Sequence, residues 1–284
     1  MTERNAAVFA IVNQKGGVGK TTTTINLAAS LAATQRKVLL VDLDAQGNAT
    51  MGSGIDKKGV AHSAYDVLLD GVAIADAMID SPDAGYYVLA GNSDLTAAEV
   101  GLVTQDQREA RLKAALAPVR EQFDYILIDC PPALNILTLN ALVAADGVII
   151  PMQCEYYALE GLSALMETVE NVRSSLNPTL QIKGLLRTMF DPRNNLANEV
   201  SDQLIAHFGD KVYRTIVPRN VRLAEAPSHG LPIMNYDKSS RGAISYLALA
   251  GEILRRDAKE RSDAHSRQHS SLSHKTNTEE GDGN

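Results

Sequence analysis

The sequence predicts an α/β fold, a doubly wound and mostly parallel sheet with helices on both faces, and three observations predict it. Short, almost wholly apolar runs rich in β-branched residues recur along the chain; helical patterns separate them; and a glycine-rich stretch follows the first run at once. A strand buried on both faces has no polar side to display, so it reads as continuous rather than alternating.

The first such run is Ala7 to Val12. Val38 to Asp42, Tyr86 to Ala90, Asp124 to Asp129, Gly147 to Pro151 and Gln181 to Leu186 repeat the type. Helical patterns occupy Thr21 to about Thr34, Gln107 to Arg120, Leu159 to Leu176 and Asn195 to Phe208. Strands alternating with helices of this length build βαβ units. A single domain is expected over residues 1–256. Residues 257–284 are polar, rich in Ser, His, Asn and mixed charge, and predict a disordered tail.

With 284 residues, 45% of them hydrophobic, the chain has ample material for a core. No window of about 18 apolar residues exists, and the first strand follows Asn5 directly, so the expected location is the cytoplasm. Cys130 and Cys154 form no C-x-x-C pair and read as small buried residues.

The stretch from Asn13 to Thr22 carries the chemistry. It fits K-G-G-x-G-K-[ST], a variant of the phosphate-binding loop: the common pattern wants glycine at position 14, where this chain has Gln14, and a second lysine, Lys15, stands ahead of the usual Lys20. Gly16, Gly17 and Gly19 lack a Cβ, so the backbone N–H groups from Gly16 through Val18 to Thr22 can turn inward onto phosphate oxygens at the start of a helix. Lys20 then reaches the β- and γ-phosphates and the Thr21 hydroxyl ligates Mg²⁺. A glycine turn that binds nothing would not need a strand before it and a helix after it. Asp42 and Asp44 follow the second buried strand, and Asp129 closes another. Isolated strand-end aspartates are more often caps or turn formers. Two such strands in the same chain as the loop favour a metal-side reading, because ligands of open α/β sheets bind at strand ends.

These motifs together resemble the ParA/MinD group of P-loop NTPases, the deviant Walker A ATPases, and within it the chromosomal ParA (Soj) branch. The resemblance covers residues 7 to about 254. Beyond Lys15-Gly16-Gly17-Val18-Gly19-Lys20-Thr21-Thr22 it includes Asp42 to Asn48, Asp129-Cys130-Pro131-Pro132, Gln153 to Gly161 and Pro218 to Gly230. It implies an ATPase that uses ATP and Mg²⁺ and forms a homodimer around its nucleotides. Lys15 matches the lysine that crosses to the other subunit's nucleotide, where a cation offsets the repulsion of facing phosphates. Asp44 matches the residue that positions the attacking water; Asp42 and Asp129 match supports for the Mg²⁺ held by Thr21. Pro218 and Asn220 match an adenine-holding loop.

The same resemblance implies non-specific binding of double-stranded DNA by the ATP dimer, association with the nucleoid, and an activating ParB-like centromere-binding partner. The net charge of −7 argues against DNA until it is divided: residues 1–182 carry −9, residues 183–241 carry +3 and residues 242–284 carry −1. Within the basic segment, Arg193, Arg219 and Arg222 match arginines of the DNA-binding surface, whose phosphate contacts are sequence-independent and salt-sensitive. Each is also readable as an ordinary solvated arginine. Arg187 departs from the pattern, which has an apolar residue there.

Other features are weighed and set aside. Tyr156 and Tyr157 read as a helix-entry packing motif, His229 as a turn residue, and His265, His269 and His274 as tail residues without fixed geometry. The nitrogenase iron protein, a related ATPase, shares a cluster through cysteines whose surroundings are absent here. A MinD-like membrane-cycling ATPase needs a C-terminal amphipathic helix, and the segment from Ala258 has no apolar face. A metabolic P-loop enzyme needs an acceptor site that no motif nominates.

Overall fold

The structure, a computed structural model, describes residues 5–279. Eight strands form one sheet: β1 (Ala7–Ile11), β2 (Val38–Asp42), β3 (Met78–Ser81), β4 (Tyr86–Leu89), β5 (Tyr125–Asp129), β6 (Gly147–Met152), β7 (Gln181–Phe190) and β8 (Val212–Pro218). Their order is β3-β4-β2-β5-β1-β6-β7-β8, parallel throughout except for the β3–β4 pair. Chain connections leave β1 toward β2 on one side, while β6 lies on the other. The carboxyl end of β1 is thus where ligands of such sheets bind.

Alternation along the strands assigns the two faces. Val8, Ala10, Val41, Ile128 and Ile150 join one core, covered by α3 (Ala64–Leu69), α5 (Leu95–Leu102), α6 (Arg111–Leu116), α7 (Ile136–Ala144), α8 (Ala158–Ser175) and α9 (Asn195–Phe208). Phe9, Ile11, Leu40, Leu127 and Ile149 join the other, covered by α1 (Lys20–Ala32), α11 (Ile233–Tyr236) and α12 (Arg241–Glu279). The short α2 (Asn48–Gly52), α4 (Ile74–Ala77) and α10 (Val221–Glu225) sit in connections. Both faces of the sheet are therefore dry, as the unbroken apolar runs require.

Three differences from the sequence expectation have physical causes. The helix anticipated over Gln107 to Arg120 shortens to α6 and passes into a 3-10 turn, Ala117–Gln122, where Pro118 cannot donate an amide. Strand β8 was not anticipated. It carries Arg214 and Thr215 mid-strand, and three residues separate Val212 from Ile216 on β8 where one separates Leu185 from Arg187 on β7. The irregular stretch is satisfied from three sides: Arg187 Nη2 donates to Tyr213 O at 2.9 Å, Glu252 accepts from Arg214 N at 2.9 Å and Thr215 N at 3.0 Å, and Arg256 Nη2 donates to Val212 O at 3.2 Å. Arg187 is buried in this arrangement, with Nη1 on Ser201 Oγ at 2.8 Å, so it is a strut between β7, β8 and α9 and not part of a basic surface. Its Nε is buried and meets no acceptor among the described residues.

The third difference is at the carboxyl end. The sequence reading sets the end of order near Arg256, whereas α12 continues as helix through Glu279. No proline or glycine interrupts residues 257–279, and elongation adds a backbone bond with each residue once the helix has been nucleated on the sheet. Residues 280–284 of the expected tail, like the side chains of His265, His269 and His274, lie outside the described ones. Among the described residues, no helix is long and apolar enough to cross a membrane.

Candidate functional site: a phosphate loop between three strand ends

The loop after β1 alternates backbone hand, with Gly17 at φ 74° and Gly19 at φ 89°, values that a side chain with a Cβ resists. Successive amides in such a path form a concave nest for anions. Among the described residues, nothing accepts the backbone N–H groups of Gly16 through Thr22, and Gly19 leads directly into α1 with no side-chain cap. A row of unsatisfied donors at a helix start is the arrangement a phosphate group completes. An open cleft of about 560 Å³ lies beside Thr21 and Thr22, bounded by Asn26, Met51 and Pro227.

Lys20 is buried, and its ammonium donates to Lys15 O at 3.3 Å. Burial lowers its pKa, while the nearby carboxylates of Asp129 and Asp44 oppose that shift. An ammonium so desolvated gains more from a phosphate oxygen than an exposed one would. Lys15 points elsewhere. It is half-exposed and pairs with Glu155 at 2.5 Å, just ahead of α8. Beside Glu155, Tyr156 and Tyr157 stack edge to face at 5.0 Å and stay exposed, so they mark the helix entry as expected but pack on each other instead of on the core.

The aspartates converge because β2 and β5 are neighbours in register, Asp42 opposite Asp129. Both are fully buried. Asp129 accepts from Thr21 Oγ1 at 2.7 Å and Thr24 Oγ1 at 2.8 Å, tying the first turn of α1 to β5. Asp42 accepts from Thr50 N and Thr50 Oγ1, both at 2.8 Å, and from Asp44 N at 3.1 Å. Asp42 thereby fixes the backbone that presents Asp44. Gly91 closes this corner, since a Cβ there would meet Asp42 O at 2.6 Å. Burial raises both pKa values above the ordinary carboxylate range, and for Asp129 the neighbouring Asp42 adds to the rise. Two carboxylates dried side by side call for a cation or a proton. Among the described residues no group of three or more His, Cys, Asp or Glu side chains could hold a metal by itself. The donor set fits Mg²⁺, which keeps waters and takes substrate phosphate oxygens beside one or two protein ligands.

The remaining expected residues fall around strand ends β7 and β8. Phe190 pairs with Pro218, so the segments carrying Arg193 and Arg219 leave adjacent strands. Arg193 is 88% exposed and grips Asp191 with Nε at 2.9 Å and Nη2 at 2.8 Å. Hydrogen bonds from the Arg193 side chain and backbone hold the Asp191 carboxyl down to about 2, and the charge of exposed Arg219 adds a smaller pull. Arg222 pairs with Glu225 at 2.8 Å and lies 3.7 Å from Asp237. Asn220 Oδ1 caps α10 by accepting from Leu223 N at 3.3 Å. His229 stacks on Tyr236 at 4.9 Å in its turn. Both cysteines are buried, and burial pushes the Cys154 thiol up to about 11 and that of Cys130 well above its usual value, so neither is a ready thiolate.

Several contributors escaped the sequence reading. Thr24 stands one helical turn beyond Thr21, a spacing that puts both hydroxyls on one face. Gly91 carried no signal because its role depends on β2 and β4 being neighbours, and Thr50 because it turns back on Asp42 from eight residues further along the chain.

Comparison with known proteins agrees with this geometry. A family model described as an AAA domain matches residues 6–182. The chromosome partitioning protein ParA of Myxococcus xanthus is 53% identical over 250 residues, 88% of each chain. The sporulation initiation inhibitor protein Soj of Bacillus subtilis is 53% identical over 246 residues, 87% of this chain and 97% of its own. Among solved structures, cobyrinic acid a,c-diamide synthase from Mycobacterium smegmatis, with bound ATP analog and magnesium, is 38% identical with a TM-score of 0.77, covering 88% of this chain and 95% of that one.

Proposed function

The chain belongs to the ParA/Soj family of chromosome-partitioning P-loop ATPases, and from that premise we propose that it works as a nucleotide-gated clamp on DNA: an ATP-bound homodimer that holds DNA without sequence preference and is reset by hydrolysis. The observation that carries the reading is Lys15. Its ammonium stands half-exposed at the rim of a loop that Lys20 already serves, and its ion pair with Glu155 is of the weak surface kind. A second loop lysine held so lightly is available to an anion outside its own subunit.

Each residue of the site has work in this scheme. The amides of residues 16–22 hold the phosphates, Lys20 shifts from the Lys15 carbonyl onto them, and Pro218 and Asn220 border the adenine. Thr21 would hold Mg²⁺ with Asp129 and Asp42 behind it; when bound, that ion supplies the charge that steadies the phosphate oxygens as the bond breaks. Asp44, presented by Asp42, orients the attacking water. Lys15 from the opposite subunit supports the same charge, which makes oligomeric state depend on nucleotide. Arg193, Arg219 and Arg222 gather on one end of the sheet, and dimerisation doubles the number of phosphate contacts. A ParB-like protein would stimulate hydrolysis, and the setting would be the nucleoid in the cytoplasm.

DNA retention measured with ATP, with ADP and without nucleotide, at low and at high salt, tests the proposal. Retention only with ATP and lost at high salt supports it. Equal retention in all three states would sink it, and retention on lipid vesicles instead of DNA would favour the membrane-cycling alternative.

A further inference from the structure

We propose that Thr188 and Gln153 are positioning residues of the phosphate loop, aiming its backbone donors by holding its carbonyls from behind. Thr188, buried on β7, donates from Oγ1 to Val18 O at 2.7 Å. Gln153, at the end of β6, donates from Nε2 to Gly17 O at 3.3 Å and lies 2.9 Å from Met189 Sδ. Both contacted atoms are acceptors, so the amide nitrogen and not the oxygen of Gln153 must face them.

The consequence follows from peptide geometry. In a planar trans peptide the C=O and the following N–H point in opposite directions. Holding Gly17 O and Val18 O on the sheet side therefore turns the N–H groups of Val18 and Gly19 outward, into the nest. Lys20 holds Lys15 O in the same way, but in the proposed scheme its ammonium moves from that carbonyl onto the phosphate. Thr188 and Gln153 have no such second task, so in the loaded site they are the holders that stay.

The backbone beneath is shaped for this contact. Met189 adopts φ 49°, uncommon for a side chain with a Cβ, and the β7–β8 register slips between Thr188 and Phe190. A Cβ on Gly19 would touch Thr188 Cγ2 at 3.8 Å, so the threonine lies directly behind that residue. The strain at Met189 keeps Thr188 under the loop while the chain turns toward the segment of Asp191 and Arg193. This positioning rests on the ATP-binding role of the loop alone and is independent of dimerisation and DNA.

The experiment compares Thr188→Val, which keeps the shape and removes the donor, with Thr188→Ser, which keeps the donor. Affinities for ADP and for AMP are measured by displacement of a fluorescent ADP. Thr188→Val should weaken ADP binding about tenfold and leave AMP within about twofold, since the aimed amides serve the phosphate beyond the first; Thr188→Ser should restore ADP binding. Gln153→Met should cost about threefold on ADP, its bond being longer and more exposed. Wild-type ADP affinity in Thr188→Val, an equal loss on AMP, or failure of serine to rescue would each overturn the inference. Failure of the wild-type protein to bind ADP would instead overturn the nucleotide reading itself.

Discussion

Replacing Glu155 by Gln should tighten the ATP-dependent dimer. The Lys15–Glu155 pair spans 2.5 Å, but the two side chains are 49% and 51% exposed, and ion pairs of that exposure contribute roughly 0.2–1 kcal/mol. A sandwich dimer recruits Lys15 from both subunits, so both pairs must open. Removing the competitor thus favours association by about 0.4–2 kcal/mol, a dissociation constant about 2- to 30-fold lower. Sedimentation equilibrium with a slowly hydrolysed ATP analogue measures it, with Lys15→Ala as the control that still binds ATP as a monomer but does not dimerise. The gain should shrink as salt rises, because the competing pair is itself screened. An unchanged or weaker dimer in Glu155→Gln would refute the argument that Glu155 and the partner's nucleotide compete for one ammonium.

Asp44→Ala should keep ATP binding and DNA retention while slowing phosphate release by about 100-fold or more, because it removes the group that positions the water; normal turnover would remove it from the mechanism. The nucleotide-free protein should lose stability as pH rises from about 5 to about 8. Asp42 and Asp129 have folded-state pKa values raised above the unfolded ones, so the folded state binds protons more tightly over that window, and Asp129→Asn should flatten the slope of thermal midpoint against pH. Arg219→Ala should reduce the slope of log affinity for DNA against log salt by about 0.9 for each phosphate left without its arginine, equally on all sequences.

The phosphate loop was readable because its chemistry is local: strand, glycines, lysine and threonine follow one another from Ala7 to Thr22, each demanded by its neighbour. The central strands were readable because burial on both faces leaves only apolar residues. What stayed hidden depends on which distant strands lie side by side. Gly91 is an ordinary glycine until β4 is placed next to β2, and Thr188 an ordinary threonine until β7 passes under Val18. Strand β8 went unseen because an interrupted ladder tolerates Arg214 and Thr215, their amides being met by Glu252 from α12. Arg187 looked out of place in a family pattern because its partners are the carbonyl of Tyr213 and the hydroxyl of Ser201, neither of which any motif announces.

The trio of buried Arg187, buried Glu252 and half-buried Arg256 has a consequence for genetics. It sets the path of β8, and that path decides where Pro218 and Arg219 emerge. A random screen for loss of DNA retention should therefore return substitutions at Arg187 and Glu252 alongside those at exposed arginines, and the two groups are separable by their ionic signature. Exposed hits give up a counterion and flatten the salt response. Interior hits keep the full response and lose affinity by misdirecting a surface whose charges are all still present.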